Sequence, residues 1–278
     1  MLNFFKYIFV VVFLSMSVSA SISTIVSIAP QKSIVKSIGG DSVDVTVMVE
    51  PGFSPHSYEP LPSQMRAISK ANIYFAIGVE FELAWLPRFK SQNSSMEIVH
   101  LDKGIKKYPI AGVRRDARLD PHIWTSPSNL KIIARNCFEA LIQKDPNSKE
   151  LYKEGYNKLL QKIDNTDKKI KQILSNVPKG STFMVFHPSW GYFAKEYGLK
   201  QLAIEVGGKS PKPKQLAKII SVAKKVNAKA IFVQPEFSDK SAKLIAKELG
   251  IAVVKISPLS PNWSDTLIKL AKAIANKR

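Results

Sequence analysis

Residues 182–206, TFMVFHPSWGYFAKEYGLKQLAIEV, decide the fold. Thr182–Phe186 is a short apolar run that reads as a buried strand, His187-Pro188 as a turn and Ser189–Tyr197 as a helix. Gly198 stops the helix and Leu199–Val206 reads as a second strand, so the segment is one βαβ unit. The same order stands at residues 24–49, TIVSIAPQKSIVKSIGGDSVDVTVMV. There Thr24–Ile28 is a strand, Gln31–Ile38 a helix stopped by Gly39-Gly40, and Val43–Val49 a strand. Both halves continue alike, with helix Pro60–Ala71 and strand Ile73–Ile77 in the first, and Pro211–Val226 and Ala230–Val233 in the second. Each then shows a further strand (Glu97–Leu101; Ala252–Ile256), a loop carrying a tryptophan (Trp124; Trp263) and a last helix (Ser128–Gln143; Asp265–Ala275). Such a repeat predicts an α/β fold of two similar lobes, each a mostly parallel sheet covered by helices.

Between the halves lies Asp145–Val177, opening with Asp145-Pro146, a favoured cap and first-turn pair. Leu151, Leu159, Leu160, Ile163, Ile170, Ile173 and Leu174 recur at helical spacing, with Lys and Glu on the other faces. At 1.5 Å per residue such a helix spans about 45 Å, enough to pass down two lobes. With one glycine, Gly155, it reads as a stiff joint. The expected organisation is a leader at 1–20, an N-terminal lobe at 21–144, a linking helix at 145–178 and a C-terminal lobe at 179–278.

The leader carries Lys6, an apolar run Tyr7–Val18 and small residues Val18-Ser19-Ala20 before a cut ahead of Ser21, the pattern of a secretory signal. Its apolar run is too short to span a bilayer, and no cysteine follows it to take a lipid. The expected location is the periplasm of a double-membraned bacterium. The 278-residue chain has 41 Lys and Arg against 22 Asp and Glu, for a net charge of +19, of which Lys6 leaves with the leader. The lysines are scattered over helices with no nucleic-acid motif, so the charge reads as a solvated exterior, and no nucleic-acid partner is expected. One cysteine, Cys137, excludes a disulfide framework and thiolate metal clusters.

Any metal chemistry therefore rests on four histidines and carboxylates. His56, His122 and His187 each sit next to a proline in a loop beyond a strand, where open α/β sheets bind ligands. Imidazoles from both lobes can converge on the cleft between them, a donor set that suits Zn²⁺. His100, inside the strand Glu97–Leu101, reads as an edge or packing residue. Asp120 either caps the turn before the helix or, like Glu205, holds an imidazole N–H. Trp124, Trp190 and Tyr192 read as cleft wall or core.

The pieces Pro51-Gly-x-x-Pro-His-x-Tyr-Glu-Pro60, Asp120-Pro-His-x-Trp124, Phe186-His-Pro-x-x-Gly-Tyr-Phe-Ala194, Ser210-Pro-x-Pro-x-Gln-Leu216 and Ile231-Phe-Val-Gln-Pro-Glu-Phe237 carry a resemblance. Together, and in this order, they resemble the ZnuA/TroA-like solute-binding proteins of zinc and manganese ABC transporters. The likeness covers the whole mature chain. It implies a metal held in the cleft by His56, His122 and His187, delivery to an inner-membrane ABC permease, a monomeric carrier and no catalysis. It also implies a carboxylate from an Asp-Pro-Leu turn in the C-terminal lobe, and here that turn is Ile256-Ser257-Pro258-Leu259. A neutral hydroxyl is a poor zinc ligand. The fourth position is then water or a carboxylate from elsewhere, the residues in view being Glu236, Glu59, Ser257 and Asp120. The His/Asp-rich loop of some zinc members is missing, and Lys103–Leu119 is basic instead. Three imidazoles favour Zn²⁺ over Mn²⁺, which gains more from carboxylate oxygens, and manganese-type members tend to place Glu where His187 stands. A manganese or iron carrier of the same family is the alternative within the resemblance, and a three-histidine zinc hydrolase is the enzymatic one, but no His-Glu-x-x-His pair supports the latter.

Overall fold

Strand β1 (Ile22–Ile28) is buried along its length and runs directly into helix α1 (Ala29–Gly39), whose fixed-φ Pro30 suits a first turn. Gln31, one turn in, reaches back to accept the backbone N–H groups of Ser27 and Ile28, both at 3.0 Å. These coordinates are a computed structural model that describes residues 21–50, 52–110, 119–206, 209–228 and 230–275. The expected leader, Met1–Ala20, lies outside the described residues, as do residues 111–118 of the basic segment Lys103–Leu119.

The first sheet continues with β2 (Val43–Val49), β3 (Ile73–Ala76) and β4 (Glu97–His100), interleaved with helices α2 (Pro62–Ile68) and α3 (Glu80–Gln92). Its strands lie in the order β2-β1-β3-β4, all parallel. Helix α4 (Pro127–Lys144) closes the first half and α5 (Lys149–Leu174) follows it. The second half repeats the plan with β5 (Thr182–Val185), α6 (Gly191–Glu196), β6 (Lys200–Ala203), α7 (Pro213–Lys225), β7 (Ala230–Val233), α8 (Lys240–Leu249), β8 (Ala252–Lys255) and α9 (Trp263–Ala275). Its sheet is also parallel, in the matching order β6-β5-β7-β8. The fold is α/β with two lobes of the same topology.

Three local readings need correction. Asp145-Pro146 does not open the long helix: Pro146–Ser148 form a separate 3₁₀ turn, and the α-helix starts at Lys149 with 26 residues. Asp145 instead accepts a hydrogen bond from Tyr152 Oη at 3.0 Å. Trp263 begins α9 rather than standing in the loop before it. Helices α3 and α8 were not read at all, because α3 has Pro87 inside it and α8 is a short lysine-rich segment. Helix α5 packs on α1 and α4 of the first lobe and on α9 of the second. At Gly155 a Cβ would stand 2.5 Å from the carbonyl oxygen of Ile38 and 2.6 Å from that of Ser37. Only glycine allows this close crossing of backbones. Among the described residues, no helix is long and apolar enough to cross a membrane.

Candidate metal centre

Among the described residues all eight strands are parallel within their sheets, so the loops beyond their carboxyl ends share one side of each lobe. His56 follows β2. Its loop is tied down by Gln64, which accepts hydrogen bonds from Tyr58 Oη and from Leu61 N and donates to the carbonyls of Val47 and Met48 at the end of β2. His122 stands just before the 3₁₀ turn Ile123–Thr125 that leads to α4, whose start is capped by Ser126 Oγ accepting from Asn129 N at 3.2 Å. His187 follows β5, and the Gln234 side chain holds its backbone by donating to His187 O at 2.9 Å and to Ser189 Oγ at 2.7 Å.

These three loops bring the imidazoles together. One ring nitrogen from each of His56, His122 and His187 lies within 4.8 Å of those from the other two. The Nε2 atoms of His56 and His187 are 3.1 Å apart, near the roughly 3.3 Å edge of a tetrahedron built on Zn–N bonds of about 2.0–2.1 Å. His122 and His187 are buried, and His56 is the exposed member. The space between the rings, bounded also by Glu80, Trp124, Glu236 and Phe237, is about 20 Å³. That is room for one ion or one water. His100 lies elsewhere, exposed at the end of edge strand β4.

Behind each ring stands a carboxylate. Glu80 Oε2, from the first turn of α3, forms a close ion pair with His56 Nδ1. Asp120 Oδ1 accepts from both His122 Nδ1, at 2.7 Å, and His122 N, at 2.9 Å. Glu205 Oε1, just past β6, is 3.0 Å from His187 Nδ1. Carboxylates on Nδ1 turn the Nε2 lone pairs toward the common space and raise their basicity. Burial, with the charges of His122 and His56, holds the His187 pKa below its ordinary value against the opposing pull of Glu205. Burial raises the Glu80 carboxyl, but the hydrogen bond from His56 and the charges of the three histidines outweigh it and its pKa is lowered. Glu80 was not singled out in the sequence. Its signal was a glutamate in the first turn of a helix beyond a strand, lost because α3 itself went unread.

The residues considered for the fourth position fall in different places. Asp120 is committed to His122, and Glu59 is exposed and takes no part in lining the space. Ser257 donates to Glu236 Oε1 at 2.7 Å, and Glu236 does line the space. Trp190 is core, Tyr192 is buried with its hydroxyl on Asp120 O at 2.8 Å, and Trp124 both lines the space and donates to Pro258 O at 2.8 Å.

The family model described as zinc-uptake complex component A, periplasmic (ZnuA), matches residues 25–277. The chain belongs to the ZnuA family. A crystal structure of a ZnuA superposes with a TM-score of 0.86 at 37% identity, covering 92% of this chain and 98% of that one. A ZnuA deletion mutant with zinc bound gives the same TM-score at 38% identity, over 92% of this chain and 97% of that one. Among curated relatives, the "Putative metal-binding protein" of Chlamydia trachomatis is 28% identical over 93% of this chain and 92% of its own. The manganese ABC transporter substrate-binding lipoprotein PsaA of Streptococcus anginosus is 27% identical over 79% of this chain and 74% of its own. The relatives are substrate-binding transport proteins, not enzymes, and this ZnuA-family chain is the metal-binding component of an ABC transporter.

Proposed function

We propose that the protein captures Zn²⁺ in the periplasm through His56, His122 and His187 and hands it to an inner-membrane ABC permease. One observation carries this reading: a ring nitrogen from each of the three histidines lies within 4.8 Å of the other two, while each Nδ1 stands beside a carboxylate. Neutral imidazoles are strong donors for Zn²⁺ and weak ones for Mn²⁺, which stands at the bottom of the divalent affinity order. The three backing carboxylates offset the charge of the ion without entering its coordination. The zinc-bound ZnuA neighbour supports zinc as cargo. The manganese named for PsaA makes Mn²⁺ the alternative to be tested.

Competition titrations of the metal-free protein with a chromophoric chelator test the assignment. Zn²⁺ should bind one per chain and displace Mn²⁺ completely at equal concentration. His56→Ala, His122→Ala and His187→Ala should each weaken Zn²⁺ by at least about 100-fold, with circular dichroism unchanged, since an open three-ligand site cannot spare one. Wild-type zinc affinity in all three variants, or preference for Mn²⁺, overturns the reading.

A further inference from the structure

The two sheets share one topology, so α7 and α8 stand in the second lobe where α2 and α3 stand in the first. Their surfaces differ. Helices α7 and α8 carry seven lysines, no arginine and one acid, Glu248, whereas α2 and α3 carry Arg66, Arg88 and Lys90 against Glu80 and Glu82. The same plan is built in the first lobe without a basic face, so the fold does not require one. Lysines that read as scattered along the sequence are gathered here by the packing of two helices. The inner sides of these helices, Ile219 and Ile220 on α7 and Ile245 and Ala246 on α8, close a small core against the second sheet, separate from the main core that joins the lobes. Helical spacing then turns Lys214, Lys218 and Lys225 of α7 and Lys240, Lys243 and Lys247 of α8 outward, and all six are exposed. The helices pack side by side, tied by an ion pair of Lys224 with Glu248 at 3.0 Å. Lys243 pairs with Asp239 at 3.0 Å. Lys214, Lys218, Lys225, Lys240 and Lys247 pair with no acid among the described residues. Among the lysines of α8 stands Leu244, 60% exposed.

We infer that the outer face of α7 and α8 is a contact surface for the anionic phospholipids of the inner membrane, with Leu244 entering the headgroup layer. Arginine forks suit one carboxylate or phosphate held in fixed geometry, whereas lysine ammoniums are mobile point charges. A two-helix array of lysines with a leucine in its midst fits a diffuse anionic layer better than a single partner side chain. The inference goes beyond the zinc reading and takes from it only a carrier that works in the periplasm beside that membrane. Such a contact keeps the carrier near a membrane-bound permease whether or not the metal site is filled.

The test sediments the zinc-loaded mature chain with vesicles of phosphatidylcholine, alone or with roughly one part in three of phosphatidylglycerol. Binding should need phosphatidylglycerol and vanish as salt rises from about 0.02 M to about 0.5 M. The double variant Lys218→Gln/Lys247→Gln should weaken it about 30-fold, and the first-lobe control Arg66→Gln/Arg88→Gln less than about twofold. Circular dichroism and zinc titration should be unchanged in both. Absence of binding to the phosphatidylglycerol vesicles, or equal loss in the two double variants, overturns the inference. Weaker stimulation of the permease by the lysine variant without any vesicle binding also overturns it, assigning these helices to an acidic protein surface instead. A wild type that sediments with the vesicles but binds no zinc overturns the carrier reading and leaves this contact standing.

Discussion

Asp120 Oδ1 receives two hydrogen bonds from one residue, the ring and the backbone N–H of His122, and Gly191 packs so close that a Cβ there would stand 2.7 Å from Asp120 Oδ2. Asp120→Asn keeps the shape and removes the charge, so zinc affinity should fall about 10- to 100-fold in a folded protein. Unchanged affinity would reduce Asp120 to a turn cap. A second buried carboxylate, Glu82, accepts from Ser27 Oγ, Ile77 N and Gly78 N, and burial pushes its pKa up to about 7 despite them. A carboxyl raised on folding is protonated in the folded state while the unfolded chain ionises, so it stabilises below about pH 4.5 and loses that contribution as pH rises toward 7. The loss is on the order of 3 kcal/mol. Buried His187 acts in the opposite sense, its cost appearing as pH falls below its unfolded value. Comparing metal-free wild type with Glu82→Gln therefore isolates Glu82: the wild type should lose stability between pH 5 and 7.5 relative to the variant. Parallel pH profiles would contradict this. At this scale the histidine motifs, Asp120 and Glu205 were legible because each lies beside a strand end or a proline. Ser257's partner was not, since which hydroxyl meets which carboxylate depends on how two separate loops pack.

Helix α5 shows what periodicity can and cannot reveal. Its apolar spacing gave the element but made it about seven residues too long, and the start was misplaced because Asp-Pro caps a 3₁₀ turn as well as an α-helix. The reason for Gly155 lies in α1, more than a hundred residues away in sequence, and is invisible in the helix's own pattern. Gly155→Ala gains helix propensity, about 1 kcal/mol, but drives a methyl into two carbonyl oxygens. The net expected loss is roughly 2 kcal/mol, or about 4–8 °C in Tm, read by thermal unfolding of the metal-free protein. A rise in Tm would show that α1 and α5 separate easily. The α3 and α8 helices escaped detection for a related reason: Pro87 and a lysine-rich ten-residue segment weaken the local signal, and tertiary contact supplies what propensity does not.

At the level of the whole molecule the lobes are tied at several points besides α5. Tyr192 donates to Asp120 O, Trp124 to Pro258 O, and Glu196 accepts from Ser128 N at 3.1 Å at the start of α4. Glu196 also accepts from the Ser126 hydroxyl that caps that helix. These ties lock the loop bearing His122 to the C-terminal lobe, and His56, the exposed imidazole, has the freest approach. Loading with zinc should therefore order the His56 loop with little lobe movement, and small-angle scattering should show a radius of gyration changed by less than about 1 Å against roughly 18 Å. A contraction of several ångströms would point to hinge closure. The two-lobe plan was legible from the repeated βαβ order, whereas the cross-lobe bonds were not. The central claim is that imidazoles of both lobes hold one zinc ion. X-ray absorption at the zinc edge of the loaded protein tests it most directly: the account predicts three imidazole nitrogens and one oxygen at about 2.0–2.1 Å. Fewer than three imidazoles in that shell would contradict it.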